Sequence, residues 1–133
     1  MLPRTIFLSR VLGLYCLIFA VAEVTHRTAM IETTTALTNA PVSLFLAGTF
    51  TLLLGVGMVV GHNFWSGGAA PVVVTIVGWM ALLKGAALIF LSQGNAVGVL
   101  GALRYADYYY FYTAITLVLG LYLTYAGFSA RQP

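Results

Sequence analysis

Four long apolar runs, over residues 6–25, 42–61, 72–91 and 108–128, constrain this chain more than any other feature. Each is about 20 residues long, the length a helix needs to cross a hydrocarbon core of roughly 30 Å. Spanning strands would be about half as long and would alternate polar with apolar residues, and these runs do not alternate. Composition closes the argument. Hydrophobic residues make up 61% of the 133, charged residues only 7%, and mean hydropathy is +0.98. A soluble domain carries roughly a quarter charged residues, so lipid must cover most of this surface. The expectation is an all-α integral membrane fold, a bundle of four transmembrane helices in a single membrane domain covering residues 1–133.

The connections carry breaker chemistry. Thr38-Asn39-Ala40-Pro41 precedes the second run, Ser66-Gly67-Gly68 and Pro71 separate the second from the third, and Gln93-Gly94-Asn95 follows the third. Proline and glycine here mark helix ends. The Gly94/Gly98 spacing therefore reads as turn chemistry in a loop. The most polar interval, residues 26–38, holds Arg27 and Glu32 and is expected to form a short interfacial helix. Arg4 and Arg10, followed by apolar residues and Ala20-Val21-Ala22, also resemble a cleavable signal. Retention is the preferred reading, because cleavage would strip the first helix of its internal counterpart.

That counterpart comes from a repeat that carries the first half of the chain onto the second at one constant offset. Gly13 matches Gly78, Gly55 matches Gly120, and Thr51-Leu52-Leu53-Leu54-Gly55 matches Thr116-Leu117-Val118-Leu119-Gly120. The stripe Gly13, Cys16 and Ala20 matches Gly78, Ala81 and Gly85. At about 100° per residue each trio lies within roughly 60° of one helix face, and small residues on one face let helices approach closely in lipid. The offset predicts two tandem helical hairpins in parallel. Gly57 and Gly61, with GxxxG spacing, are further packing candidates.

The net charge of +3 points to no nucleic acid, since six Lys and Arg are too few and too scattered to track phosphates. Instead they report orientation. The end with both termini carries Arg4, Arg10 and Arg131; the other end carries Arg27 and Arg104. The positive-inside rule then favours cytoplasmic termini by a narrow margin. Phe64-Trp65 and the aromatics from Tyr105 to Tyr112 read as interface belts.

Two ionisable residues fall within spans. A charge in hydrocarbon costs about 2.5–3.5 kcal/mol on insertion scales, so each should face the bundle or reach an interface. The repeat sets Glu23 opposite Leu88, one turn past Lys84, a step of about 6 Å that a lysine stem covers. Glu23 and Lys84 are therefore expected to lie close together, as a register-fixing pair or a proton or ion site. The alternative is a Lys84 that snorkels without a partner. His62 and Asn63 suit the end of the second helix, where an imidazolium would complement the dipole. No metal site is expected, because His26 falls at the opposite end from His62. There is no phosphate loop, dinucleotide fingerprint, Ser–His–Asp set or CxxC, so neither an enzyme nor a cofactor is expected.

Gly61-His62-Asn63-Phe64-Trp65, Val77-Gly78-Trp79 and Leu83-Lys84-Gly85 resemble a family of small bacterial inner-membrane proteins with four spans and no assigned activity. The likeness covers about residues 40–92 and implies the same fold and a bacterial inner membrane. Ala22-Glu23-Val24 and Trp65-Ser66-Gly67 are similar to segments of small multidrug resistance transporters. Glu23 stands late in its helix, however, and Trp65 falls in a loop. The function expected is a non-catalytic accessory or structural subunit, with lipid and other membrane subunits or a second copy as partners. The alternative is a small proton- or ion-coupled transporter using Glu23 and Lys84.

Overall fold

In the computed structural model, residues 2–91, 93–104 and 106–130 are described; Tyr105 and Arg131, named above, lie outside them. The described residues form six helices and no strand: α1 (Pro3–Thr25), α2 (Arg27–Thr38), α3 (Pro41–Gly61), α4 (Ala69–Phe90), α5 (Gln93–Leu103) and α6 (Tyr109–Ser129). Of these, α1, α3, α4 and α6 are long and apolar enough to cross a membrane. Two of them begin on a proline, Pro3 and Pro41, whose missing N–H belongs to a turn where it would be unsatisfied anyway. This sets the start of α1 ahead of the apolar run, at Pro3 and not Ile6. Gly94 and Gly98 lie in α5, not in a loop: 11 residues close into a helix despite three glycines, Gly101 being the third.

The exterior is apolar almost everywhere. Phe90 is 87% exposed and Val60 82%, a surface that suits hydrocarbon. Threonine hydroxyls along the helices bond back to the preceding turn, as Thr49 Oγ1 does to the Phe45 carbonyl (2.8 Å) and Thr116 Oγ1 to that of Tyr112 (3.1 Å). In lipid, where water cannot satisfy a hydroxyl, that local bond keeps a polar residue tolerable.

Tertiary packing runs through two antiparallel pairs, α1 with α6 and α3 with α4. Backbones meet at glycines. A Cβ on Gly55 would strike the backbone of Leu82, one on Gly85 that of Leu52, and one on Gly13 that of Thr124. On Gly120 it would lie 2.9 Å from the Leu17 nitrogen. These contacts follow the sequence repeat. Gly55 meets Ala81 and Leu82 as Gly120 meets Cys16 and Leu17, and Gly78 meets Met58 as Gly13 meets Leu123. At these four glycines the two halves therefore correspond in contacts as well as in sequence. They are not, however, two self-contained hairpins. The first span of each half packs on the second span of the other, and α1 also touches α4. The short helices α2 and α5, which hold corresponding places in the two halves, touch each other at one end of the bundle. Close backbone approach is what holds such pairs together in lipid, where burial of apolar surface drives nothing.

Candidate functional site

Buried polar side chains gather in two clusters, one at each end of the bundle. The cluster at the end with the termini is built on the α3–α4 connection. His62 leaves α3 with extended backbone (φ −152°, ψ 100°), which turns its ring inward. It is 1% exposed, with Nε2 2.8 Å from Thr5 Oγ1 of α1 and Nδ1 3.2 Å from Thr75 Oγ1 of α4. The Thr75 hydroxyl also stands 2.9 Å from the carbonyls of Pro71 and Phe64 and accepts from the Phe64 N–H at 3.0 Å. A hydroxyl has one proton and two lone pairs. One assignment satisfies the set: the Thr75 proton goes to a carbonyl, its lone pairs accept from Phe64 N–H and His62 Nδ1–H, and Thr5 donates to Nε2. This tautomer follows from the network. Burial pushes the imidazole below the ordinary histidine pKa of 6.5. His62 is thus a neutral buried node that ties α1, α3 and α4 together, not the dipole-complementing helix end expected from sequence.

Next to it, Asn63 Oδ1 accepts from two indoles, Trp65 Nε1 at 2.9 Å and Trp79 Nε1 at 3.3 Å. Trp65 itself is 59% exposed. Left-handed backbone at Gly67 (φ 92°) and Gly68 (φ 116°) completes the turn, where a Cβ would strain the chain. The His-Asn-x-Trp motif and the Trp79 that accompanies it are therefore parts of one clamp on the α3–α4 turn. Arginines close helix ends nearby: Arg4 Nη1 donates to the Gly61 carbonyl (3.3 Å), and Arg10 Nε to that of Gly127 (2.9 Å) while stacking on Phe128. Both place positive charge on the C-terminal end of a helix, where the dipole favours it.

At the other end stands Glu23, 5% exposed. Its carboxyl lies against the Thr113 hydroxyl of α6, and its backbone carbonyl accepts from Tyr109 Oη at 2.6 Å. Its Oε2 is buried and makes no hydrogen bond. Arg27 covers the rings of Tyr109 and Tyr110 at 5.6 and 5.4 Å and donates to the Ala106 carbonyl. Tyr109, only 1% exposed, belongs to this interior and not to an aromatic belt.

Glu23 and Lys84 do not form an ion pair. Among the described residues the one ion pair is Arg104–Asp107, 3.5 Å apart and exposed. The reason is the crossed pairing. The buried face of α1 looks at α6, whereas Lys84 is exposed beside Gly85, whose own face is taken by Leu52 of α3. The small-residue stripes do lie in contacts: Gly13, Cys16 and the 1% exposed Ala20 on α1, and Gly78, Ala81 and Gly85 on α4. Gly57 and Gly61 have nothing within 4 Å of an added Cβ, so they pack on no helix of this chain. Among the described residues no three His, Cys, Asp or Glu approach as metal ligands would.

Sequence reasoning missed Thr5, Thr75, Tyr109, Thr113 and Arg27. Threonine within an apolar run carries no mark of whether it faces a partner or its own helix. Tyr109 sits in a row of tyrosines, and nothing in that row singles it out. Comparison with protein-family models, with curated proteins and with solved structures finds no match to this chain.

Proposed function

We propose that this chain is a non-catalytic structural subunit of a bacterial inner membrane, one that packs with other membrane spans. One observation carries the reading. From Ser9 to Glu23, 14 residues or about 21 Å of helix, the buried face of α1 holds only Gly13, Cys16 and Ala20. A translocating site needs polar groups leading across the membrane. Here the two polar clusters are separated by glycine-packed backbone, interrupted from α6 by the hydroxyl of Thr124, which is buried against Gly13 and makes no hydrogen bond. The His62 cluster fastens a turn, both ring nitrogens and the Thr75 hydroxyl being engaged within the chain. The likeness of Gly61–Trp65 and Val77–Gly85 to four-span bacterial proteins supports the bacterial inner membrane, and the arginine balance supports cytoplasmic termini.

Purification of the tagged protein in mild detergent tests this. The expected result is co-elution with a larger membrane protein or with further copies of itself. A homogeneous monomer at every stage would overturn the reading. A second reading, a proton- or ion-coupled transporter, has the unpartnered Glu23 Oε2 in its favour, although the exposed Lys84 no longer contributes. It requires that Glu23→Gln abolish proton-coupled flux in liposomes; unchanged flux removes it.

A further inference from the structure

The crossed pairing leaves two lipid-facing grooves at equivalent places, one between α1 and α3 and one between α4 and α6. The first includes Leu8, Leu53, Leu54 and Gly57. The second includes Val73, Val118, Leu119 and Tyr122, which are their counterparts in the repeat, in the same order. Equivalent grooves should be alike, and these differ in two ways. Where the second is filled by the Tyr122 ring, the first has Gly57 and is larger, about 530 Å³ against about 420 Å³. The first also ends on a cation: Arg4 lines it, whereas the counterpart of Arg4 is Ala69.

Both differences suit one occupant. Every other glycine in the four long helices meets a neighbouring helix, but Gly57 and Gly61 face open space beside this groove. Arg4 is exposed, gives one long bond to Gly61, and pairs with no acid among the described residues. A guanidinium has five donors in a fork that matches phosphate oxygens, so most of its capacity is unused. From Gly61 to Leu53 the groove descends eight residues, about 12 Å. That is close to the roughly 15 Å depth of one leaflet and under half the length of a spanning helix.

We infer that the α1/α3 groove binds one anionic phospholipid, its phosphate on Arg4 and an acyl chain laid over Gly57 and Gly61. The site does not depend on the subunit reading. An anionic headgroup is favoured over a zwitterionic one because no acidic side chain among the described residues stands by Arg4 to take an ammonium.

Native mass spectrometry of the full chain, with phosphatidylglycerol or phosphatidylcholine added to the detergent, tests the inference. The wild type should retain one phosphatidylglycerol in roughly tenfold preference to phosphatidylcholine. Arg4→Gln should erase that preference, and Arg4→Lys should keep part of it. Gly57→Tyr, which copies the second groove, should expel both lipids while circular dichroism shows the helices intact. Equal retention of the two lipids by wild type and Arg4→Gln would overturn the proposal. So would a wild-type dimer that Gly57→Tyr converts to monomer, because a second copy would then own the groove.

Discussion

The α1·α6 and α3·α4 pairs share one packing scheme and differ in what they bury. The contacts of Gly13 and Gly55 correspond under the repeat to those of Gly78 and Gly120, down to Leu17 standing for Leu82. Their polar residues do not. Glu23, Thr113 and Tyr109 of the first pair correspond to Leu88, Gly48 and Leu44 of the second, where Gly48 simply receives Leu88 and Ile89. At the opposite end, His62 bonds Thr75 where Gly127 accepts from Arg10. Backbone approach has been kept in both halves while side-chain chemistry has diverged. Close packing in lipid tolerates few alternatives to glycine. A buried polar group, by contrast, can be replaced by an apolar one of similar size at little cost.

The contrast can be broken most forcefully at the glycines. Gly55→Val should cost about 3 kcal/mol or more, since its Cβ lands on backbone that cannot move aside. Gly120→Val should cost somewhat less, its contact being longer. Gly57→Val should stay within about 0.5 kcal/mol, as an outward-facing substitution does. Thermal unfolding midpoints in detergent would rank the three, and equal losses would mean that the repeated contacts are not what holds the pairs. Next comes Thr75→Val, which strands both the His62 Nδ1–H and the Phe64 N–H. A loss of about 2 kcal/mol is expected from two donors left without acceptors, with Trp65 fluorescence reporting a loosened turn.

Glu23→Leu makes the first pair resemble the second. It removes a buried oxygen without a partner and leaves the Thr113 bond to the Tyr109 carbonyl (3.0 Å) in place. A gain of about 1 kcal/mol is predicted; a loss would show that the carboxyl's contact with Thr113 outweighs the cost of its unpartnered oxygen. The smallest effect is that of pH on the His62 cluster. The ring is neutral when folded and titrates below its unfolded value of about 6.5. Its contribution is therefore fully present above that pH and is lost as pH falls through it, because the unfolded chain binds the proton more readily. Between pH 7.5 and 5 the unfolding free energy should fall by less than the roughly 1.4 kcal/mol per unit that full coupling allows, with a matching drop in the midpoint. His62→Gln should flatten that dependence, and a profile unaffected by the substitution would assign the pH effect to another group.

Much of the fold was legible in the chain itself. Hydrocarbon thickness and the lack of water in it leave an apolar run of about 20 residues few options other than a helix. Stripes such as Gly13/Cys16/Ala20 announce a close contact whatever the partner. The Glu23–Lys84 pairing failed for a reason of the same kind: the stripe showed that α1 packs closely but not on which helix. Likewise, the His-Asn-x-Trp motif marked a special turn without revealing that Thr5, 57 residues away, and Thr75 would close around it.

The sequence by itself thus determined four long apolar helices and the duplicated small-residue faces, since these depend on local hydrophobicity and helical period. Tertiary structure alone decided that the faces cross between halves, that Glu23 meets α6 and not Lys84, and that Gly57 and Gly61 border an open groove. Partner choice between apolar helices rests on the sum of many small dispersion contacts along whole surfaces, and no single residue carries that information.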